Sequence, residues 1–319
     1  EMVRRGASDL ILVPGATPVI RVGGRLERLI GEVEEEGVRA LFAPHLGERA
    51  RRSLTESGSA DFSISLATGG ESPRGVRLRV NIQRQGGRLA AAVRALPLRV
   101  PQLAELNLPE SLSELVQPNN GLVLVCGPTG SGKSTTLAAM LDHVNQTQFR
   151  HVITIEEPVE YEHRNCQSVF EQIEVGSDSP TFAAALRSAL RRDPDVILVG
   201  EMRDPDTADA VLTVAETGHF ILTTGHAPSA TQAMERVIDL FPPHQRHLAQ
   251  VRLASLLVAA LCQTLIPRSD GSGRRAAVEI LLGNPAAKNL SREGKLYQLP
   301  NDIRTHREIG MISLDEALV

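Results

Sequence analysis

Gly127-Pro128-Thr129-Gly130-Ser131-Gly132-Lys133-Ser134, one residue beyond the apolar run Leu122-Val123-Leu124-Val125, decides how the rest of the chain is read. A short apolar run bounded by a turn reads as a buried strand, and an octapeptide of this spacing after such a strand reads as a phosphate-binding loop. Gly127, Gly130 and Gly132 let the backbone turn its N–H groups toward an anion, where a Cβ would block either the positive φ or the close approach. Lys133 is expected to meet the outer phosphates and the Ser134 hydroxyl to meet Mg²⁺. Thr135, Leu137, Ala138, Met140 and Leu141 then predict a helix running to about His143, with its positive end at the anion. The expected ligand is a nucleoside triphosphate, ATP, with Mg²⁺, held by Gly127, Pro128, Thr129, Gly130, Ser131, Gly132, Lys133, Ser134 and Thr135.

Downstream, four short apolar runs, at 121–125, 152–155, 196–199 and 220–223, alternate with segments of helical spacing such as Phe182, Leu186 and Leu190, which follow a cap expected near 178–181. Runs buried on both faces imply a parallel sheet covered by helices, an α/β fold. The longest apolar stretch, 253–266, is interrupted by Ser255, Gln263 and Thr264; it is short of a membrane span and reads as a buried helix.

Upstream the pattern is that of a small α+β unit. Asp9-Leu10-Ile11-Leu12-Val13, Val19-Ile20-Arg21-Val22 and the alternating Val76-Arg77-Leu78-Arg79-Val80-Asn81-Ile82 read as strands. Helical stretches are expected around 37–57 and near 3–6. Pro97, Pro101 and Pro109 punctuate the passage into the second domain. The expected organisation is an N-terminal domain over 1–98, a linker over 99–108 and an ATPase domain over 109–319.

The 319 residues, 42% of them hydrophobic, are enough for two domains of ordinary core size. The opening residues lack a signal pattern, and three scattered cysteines indicate neither a disulfide framework nor a cysteine zinc site, so a reducing, cytoplasmic compartment is expected. The net charge of −4 is uneven: residues 1–100 carry sixteen arginines against eleven acids, leaving −9 for the remainder. The basic region has almost no aromatic residues and its arginines are interspersed with Glu32, Glu34, Glu35 and Glu36. That reads as a solvated or subunit-contact surface rather than a nucleic-acid interface.

In a doubly wound sheet, functional residues gather beyond the carboxyl ends of the strands. The second run ends in Glu156-Glu157-Pro158-Val159-Glu160 and the third in Gly200-Glu201-Met202-Arg203-Asp204, while His219 and His226 bracket the fourth. Glu201 can reach Mg²⁺ beside the phosphates, because a hard cation takes oxygen ligands, and Glu160 is the candidate to polarise an attacking water. His219 and His226, at opposite ends of one strand, could sense the γ-phosphate at one end and a neighbouring element at the other. His244 and His247, with no third ligand nearby, read as surface residues.

The segments 127–140, Thr154-Ile155-Glu156-Glu157-Pro158-Val159-Glu160, 195–204 and 217–226 resemble, in order and spacing, the Walker A, Asp-box, Walker B and His-box motifs of the type II/type IV secretion ATPase superfamily, and within it the type IV pilus retraction motors. Gly6-Ala7-Ser8-Asp9, Arg79-Val80-Asn81 and the segment 284–293 extend the resemblance over nearly the whole chain. It implies a PAS-like α+β N-terminal domain followed by a RecA-like P-loop ATPase domain with a mainly parallel sheet, assembled as a homohexamer. By position, Glu160 matches the catalytic glutamate, Glu201 the Walker B glutamate, His219 and His226 the His-box histidines, and Arg79 and Arg94 the N-terminal-domain arginines that contact phosphate. The activity implied is ATP hydrolysis that powers type IV pilus retraction and twitching motility. It would take place in the cytoplasm, peripherally at the inner face of the membrane, through an inner-membrane platform protein and alongside a possible paralogous ATPase. The sequence departs from the family at Glu157, where aspartate is usual, at Ala227-Pro228, and at Ala287, Lys288 and Ser291 in the C-terminal motif. Two other readings stay open: a weakly hydrolysing accessory pilus subunit, and a secretion or DNA-uptake motor of the same superfamily.

Overall fold

The computed structural model describes residues 2, 4–66, 75–270 and 273–318. The chain divides into two units, one of residues 1–99 with 176–178 and the other of residues 100–175 with 179–319.

The first unit is built on six strands, β1 (Asp9–Leu12), β2 (Val19–Val22), β3 (Arg25–Arg28), β4 (Ser59–Leu66), β5 (Val76–Gln85) and β6 (Arg88–Ala95). All pair antiparallel, in the order β3-β2-β1-β6-β5-β4. Two hairpins close on glycine pairs, Gly23-Gly24 and Gly86-Gly87, all four with positive φ. Such turns carry the twist that antiparallel strands require. On β5 the alternation holds as expected, with Val76, Leu78, Val80 and Ile82 buried. The helical stretch expected over 37–57 is two helices, α1 (Glu35–Phe42) and α2 (Glu48–Glu56), separated by a 3₁₀ turn containing Pro44. Proline has no N–H to continue the hydrogen-bond ladder, and Gly47 starts the second helix afresh. Both helices pack on one face of the sheet, where Val38, Phe42 and Leu54 join Ile20, Val80 and Ile82. Near the N-terminus residues 4–6 form a turn, and Val3 lies outside the described residues.

The second unit holds β7 (Gly121–Cys126), α3 (Lys133–Thr147), β8 (His151–Glu156), β9 (Val169–Glu174), α4 (Phe182–Ala189), β10 (Val196–Val199), α5 (Pro205–Glu216) and β11 (Phe220–Gly225). It continues through α6 (Ala230–Asp239), α7 (Arg246–Leu256), β12 (Leu257–Pro267), β13 (Arg274–Leu282), α8 (Pro285–Arg292), α9 (Leu299–Thr305) and α10 (Leu314–Ala317). The seven-stranded sheet runs β13-β12-β7-β11-β10-β8-β9, parallel throughout except for the antiparallel edge strand β13. The fold is α/β with a mostly parallel sheet, as the four apolar runs predict. Successive residues of β7 face opposite sides: Leu122 and Leu124 pack toward α4, α5, α6 and α7, and Val123 and Val125 toward α3. Each such side chain, fully removed from water, contributes about 1.5–3 kcal/mol.

Local sequence starts the helices where the strands leave off. Thr181, Asp204 and Ser229 cap α4, α5 and α6 by accepting the N–H of Ala184, Thr207 and Gln232. The stretch 253–266 departs from the expected buried helix, because α7 ends at Leu256 and the rest is β12. An apolar run buried on both faces has no period to separate strand from helix, and here the open edges of β7 and β13 take it into the sheet. On α8 the departures from the family motif face inward at Ala287 and Ser291, both buried, while Lys288 Nζ donates to Ser255 O at 3.0 Å. No helix among the described residues is long and apolar enough to cross a membrane.

Candidate active site

Six parallel strands bring their carboxyl ends to one side of the second unit. Beyond β7, the loop 127–132 leads straight into α3, whose first residue is Lys133. Lys133 is buried, and its Nζ donates to Gly127 O at 2.9 Å and Pro128 O at 3.0 Å, which draws the ammonium back under the loop. Burial holds its pKa below the ordinary lysine value, opposed by the charges of Glu201 and Glu160, so both carboxylates bear on this one ammonium. Ser131 Oγ is buried with no hydrogen-bond partner among the described residues. Ser134 follows Lys133 on the first turn of α3, and the hydroxyls of Thr135 and Tyr161 lie 2.9 Å apart, tying the helix start to the loop that carries Glu160.

The glycines have a use that the sequence does not display. A Cβ on Gly127 would stand 2.2 Å from Gln263 O, and one on Gly132 2.8 Å from Gln263 Nε2. Gly130 meets nothing within 4 Å. Two of the three glycines therefore admit β12 against the back of the loop.

Beyond β10, Gly200 turns the chain and Glu201 follows with its side chain only 13% exposed. Arg203 Nη2 lies 2.5 Å from Glu201 Oε1, and His226 Nε2, beyond β11, is 3.9 Å from Glu201 Oε2. Burial, and then the charge on Lys133, lower the His226 pKa while Glu201 opposes them. Asp204, at the end of the same segment, is taken up as the cap of α5, with Oδ1 accepting from Thr207 N and Oδ2 from Thr207 Oγ1. His219 sits at the other end of β11, roughly 20 Å away at the rise of an extended strand. Its Nδ1 is 3.1 Å from Val214 O and 3.1 Å from Thr217 Oγ1, so the structure does not bring it to the phosphate loop. Arg79 and Arg94 are register partners on β5 and β6 of the first unit. Arg94 Nε donates to Asp9 Oδ1 at 2.8 Å, and Arg79 Nη2 is 3.8 Å from Asp61 Oδ1.

Behind Ser134 is a cavity of about 30 Å³ lined by Glu156, Tyr161, His163, Leu198, Gly200 and Thr224 among others, room for a water or two. Burial pushes the Glu156 carboxyl up to about 7 and the His163 imidazole, stacked on Phe170, down to about 4. The two act on stability with opposite sign. Glu156 binds its proton more tightly in the folded chain, so its contribution is full below about 4.5 and is lost as pH rises through about 7. His163 resists protonation when folded, so its contribution is full above about 6.5 and is lost as pH falls through about 4. In a Glu156→Gln protein the first effect disappears. Its stability relative to the parent, from urea midpoints, should rise steadily as pH is raised from about 4.5 to about 7. A difference independent of pH would show that Glu156 is not held protonated.

Sequence reasoning missed Gln263, Thr136 and Tyr161, and it placed Arg203 at a strand end without a role. Gln263 carried a signal, an amide inside an otherwise apolar run; Thr136 and Tyr161 had none.

A family model described as "Type II/IV secretion system protein" matches residues 90–303. The "Type IV pilus retractation ATPase PilT" of Pseudomonas aeruginosa is 43% identical over 99% of this chain and 90% of that protein. The "Type IV pilus ATPase PilU" of the same organism is 38% identical over 99% of this chain and 82% of that protein. Among solved structures, a crystal structure of the pilus retraction motor PilT with bound ADP superposes with a TM-score of 0.84 at 39% identity, covering 99% of this chain and 93% of that one. With the family model matched over more than half of its length, and a relative this similar along nearly all of both chains, the chain belongs to the type II/IV secretion system protein family.

Proposed function

We propose that this chain is an ATP-hydrolysing motor subunit that powers type IV pilus retraction. The observation that carries the reading is the complete phosphate loop with its buried Lys133 at one end of a parallel sheet, in a chain similar over nearly its whole length to a protein named for retraction. Lys133 and the N–H groups of residues 129–135 hold the phosphates, and Glu160 polarises the attacking water. Ser134 and Glu201 offer hard oxygen donors that suit Mg²⁺. No group of three or more His, Cys, Asp or Glu among the described residues could hold a metal alone, so the ion depends on nucleotide oxygens as well. When bound, Mg²⁺ neutralises charge developing on the phosphates. His226, 3.9 Å from Glu201, reports phosphate occupancy, and His219 relays it to α5 through Val214 and Thr217.

In this reading residues 1–98 form a PAS-like domain, 99–108 the linker and 109–319 a RecA-like ATPase domain. Six copies form a ring in the cytoplasm at the inner face of the membrane. Arg79 and Arg94 are the arginines that the N-terminal domain supplies to the phosphates, where a guanidinium fork suits developing charge. The force passes to a platform protein in the membrane, alone or with a paralogous ATPase. A second reading keeps the fold and the loop and changes the role, an accessory pilus subunit that joins such a ring and hydrolyses little.

Steady-state ATPase activity measured against protein concentration, with light scattering on the same samples, separates the two. Turnover that rises as a six-subunit mass appears is the expected result. Assembly without turnover would move the assignment to the weakly hydrolysing subunit, and stimulation by DNA would move it to a nucleic-acid motor.

A further inference from the structure

We propose that Gln263 is a positioning residue of the phosphate loop, its side-chain amide holding the Ser131–Gly132 peptide in the orientation that aims the Gly132 N–H at bound phosphate. The inference rests on the nucleotide-site reading above and goes beyond it to a residue outside the loop.

Gln263 is only 3% exposed, and it stands beside the loop because β12 runs parallel to β7 with Cys262 level with Cys126. Its Nε2 donates to Ser131 O at 2.7 Å, and its Oε1 accepts from Thr136 Oγ1 at 2.7 Å. The assignment of the amide is forced, since a carbonyl can only accept and so must face the NH₂ group. One side chain thus ties the apex of the loop to the first turn of α3.

A trans peptide is planar, with its C=O and N–H directed to opposite sides. Pinning Ser131 O on Gln263 therefore turns the Gly132 N–H away from β12 and into the loop. Residue 132 does not enforce this by itself. Gly132 has a φ of +90°, and glycine adopts either sign of φ readily, so the Ser131–Gly132 peptide can rotate when nothing holds it. Rotated, it would present a carbonyl oxygen to an anion in place of a donor. Gly127 and Gly132 complete the arrangement, because a Cβ on either would collide with Gln263.

The test is the binding of ADP and of inorganic pyrophosphate, measured by calorimetry, to Gln263→Met and Gln263→Glu beside the parent and Lys133→Ala. Gln263→Met keeps the volume and removes the donor. It should weaken both ligands by at least ~10-fold, the scale of a lost hydrogen bond to a charged group, and by the same factor, because the peptide faces only phosphate. Gln263→Glu adds a signature that a general loss of packing would not produce. A protonated carboxyl can donate to Ser131 O and an ionised one cannot. The affinity of Gln263→Glu relative to the parent should therefore fall as pH is raised through the range where that carboxyl ionises, while the Gln263→Met ratio stays flat. Parental affinity in Gln263→Met, or a loss for ADP with none for pyrophosphate, overturns the proposal. If Gln263→Met does not fold, the Gln263→Glu profile decides alone, and a ratio that does not fall with pH overturns it. Lys133→Ala at parental affinity would instead overturn the nucleotide site itself.

Discussion

Glu160→Gln and Glu201→Gln proteins are each expected to bind ATP at near-parental affinity and to turn it over ~100-fold or more slowly, the usual scale for losing a general base or a charge-stabilising group. Glutamine keeps the shape of each side chain and removes the charge. The effect should be large because both carboxylates act on Lys133 in a site where burial already depresses the lysine, so their charges are poorly screened by water. Glu201 has the further restraint of Arg203 at 2.5 Å, which holds one carboxylate oxygen and leaves the other toward His226. Arg203 is 66% exposed, so its loss of a partner costs little stability and the folded variant can be assayed. Fluorescent-nucleotide titration gives the binding and phosphate release gives the turnover. Parental turnover in either variant removes that residue from the chemistry.

Gly127→Ala is expected to destabilise the protein by about 3 kcal/mol or more, the upper range for overpacking combined with backbone strain. The new Cβ would lie 2.2 Å from the backbone oxygen of Gln263, which cannot move without parting β12 from β7, and residue 127 has a φ of +141°. Gly130→Ala is the control. Its φ is +76°, but its Cβ would meet nothing within 4 Å, so only the left-handed backbone penalty of about 1–2 kcal/mol applies. Urea unfolding of the two variants measures the difference. Since a whole domain is stable by only about 5–15 kcal/mol, the first should lose a substantial part of it. Equal midpoints would show that β12 does not press on the loop.

The phosphate loop and the strand ends were legible because their chemistry is local. An anion cradle needs glycines, a lysine and a hydroxyl at fixed spacing, and each short apolar run announces where a polar cluster must emerge. That is why Glu160, Glu201 and His226 could be named beside Lys133 before any geometry. The run 253–266 was misread for the converse reason, since whether it coils or extends depends on the open edge of β7, a partner more than a hundred residues away. The sequence puts His219 and His226 at opposite ends of one strand without saying which faces the phosphate loop. Only the rise of β11 puts the first among Val214 and Thr217 and the second beside Glu201.

By itself the sequence determined the class of fold, the phosphate loop and the residue types at each strand end, because turn geometry, strand burial and anion chemistry are written in neighbouring residues. Tertiary structure alone decided that Gln263 backs the loop and that two of its glycines make room for β12 rather than only for phosphate. Those outcomes depend on which distant strand lies against β7 and in what register, and contacts between segments far apart in the chain leave no periodic trace in either one.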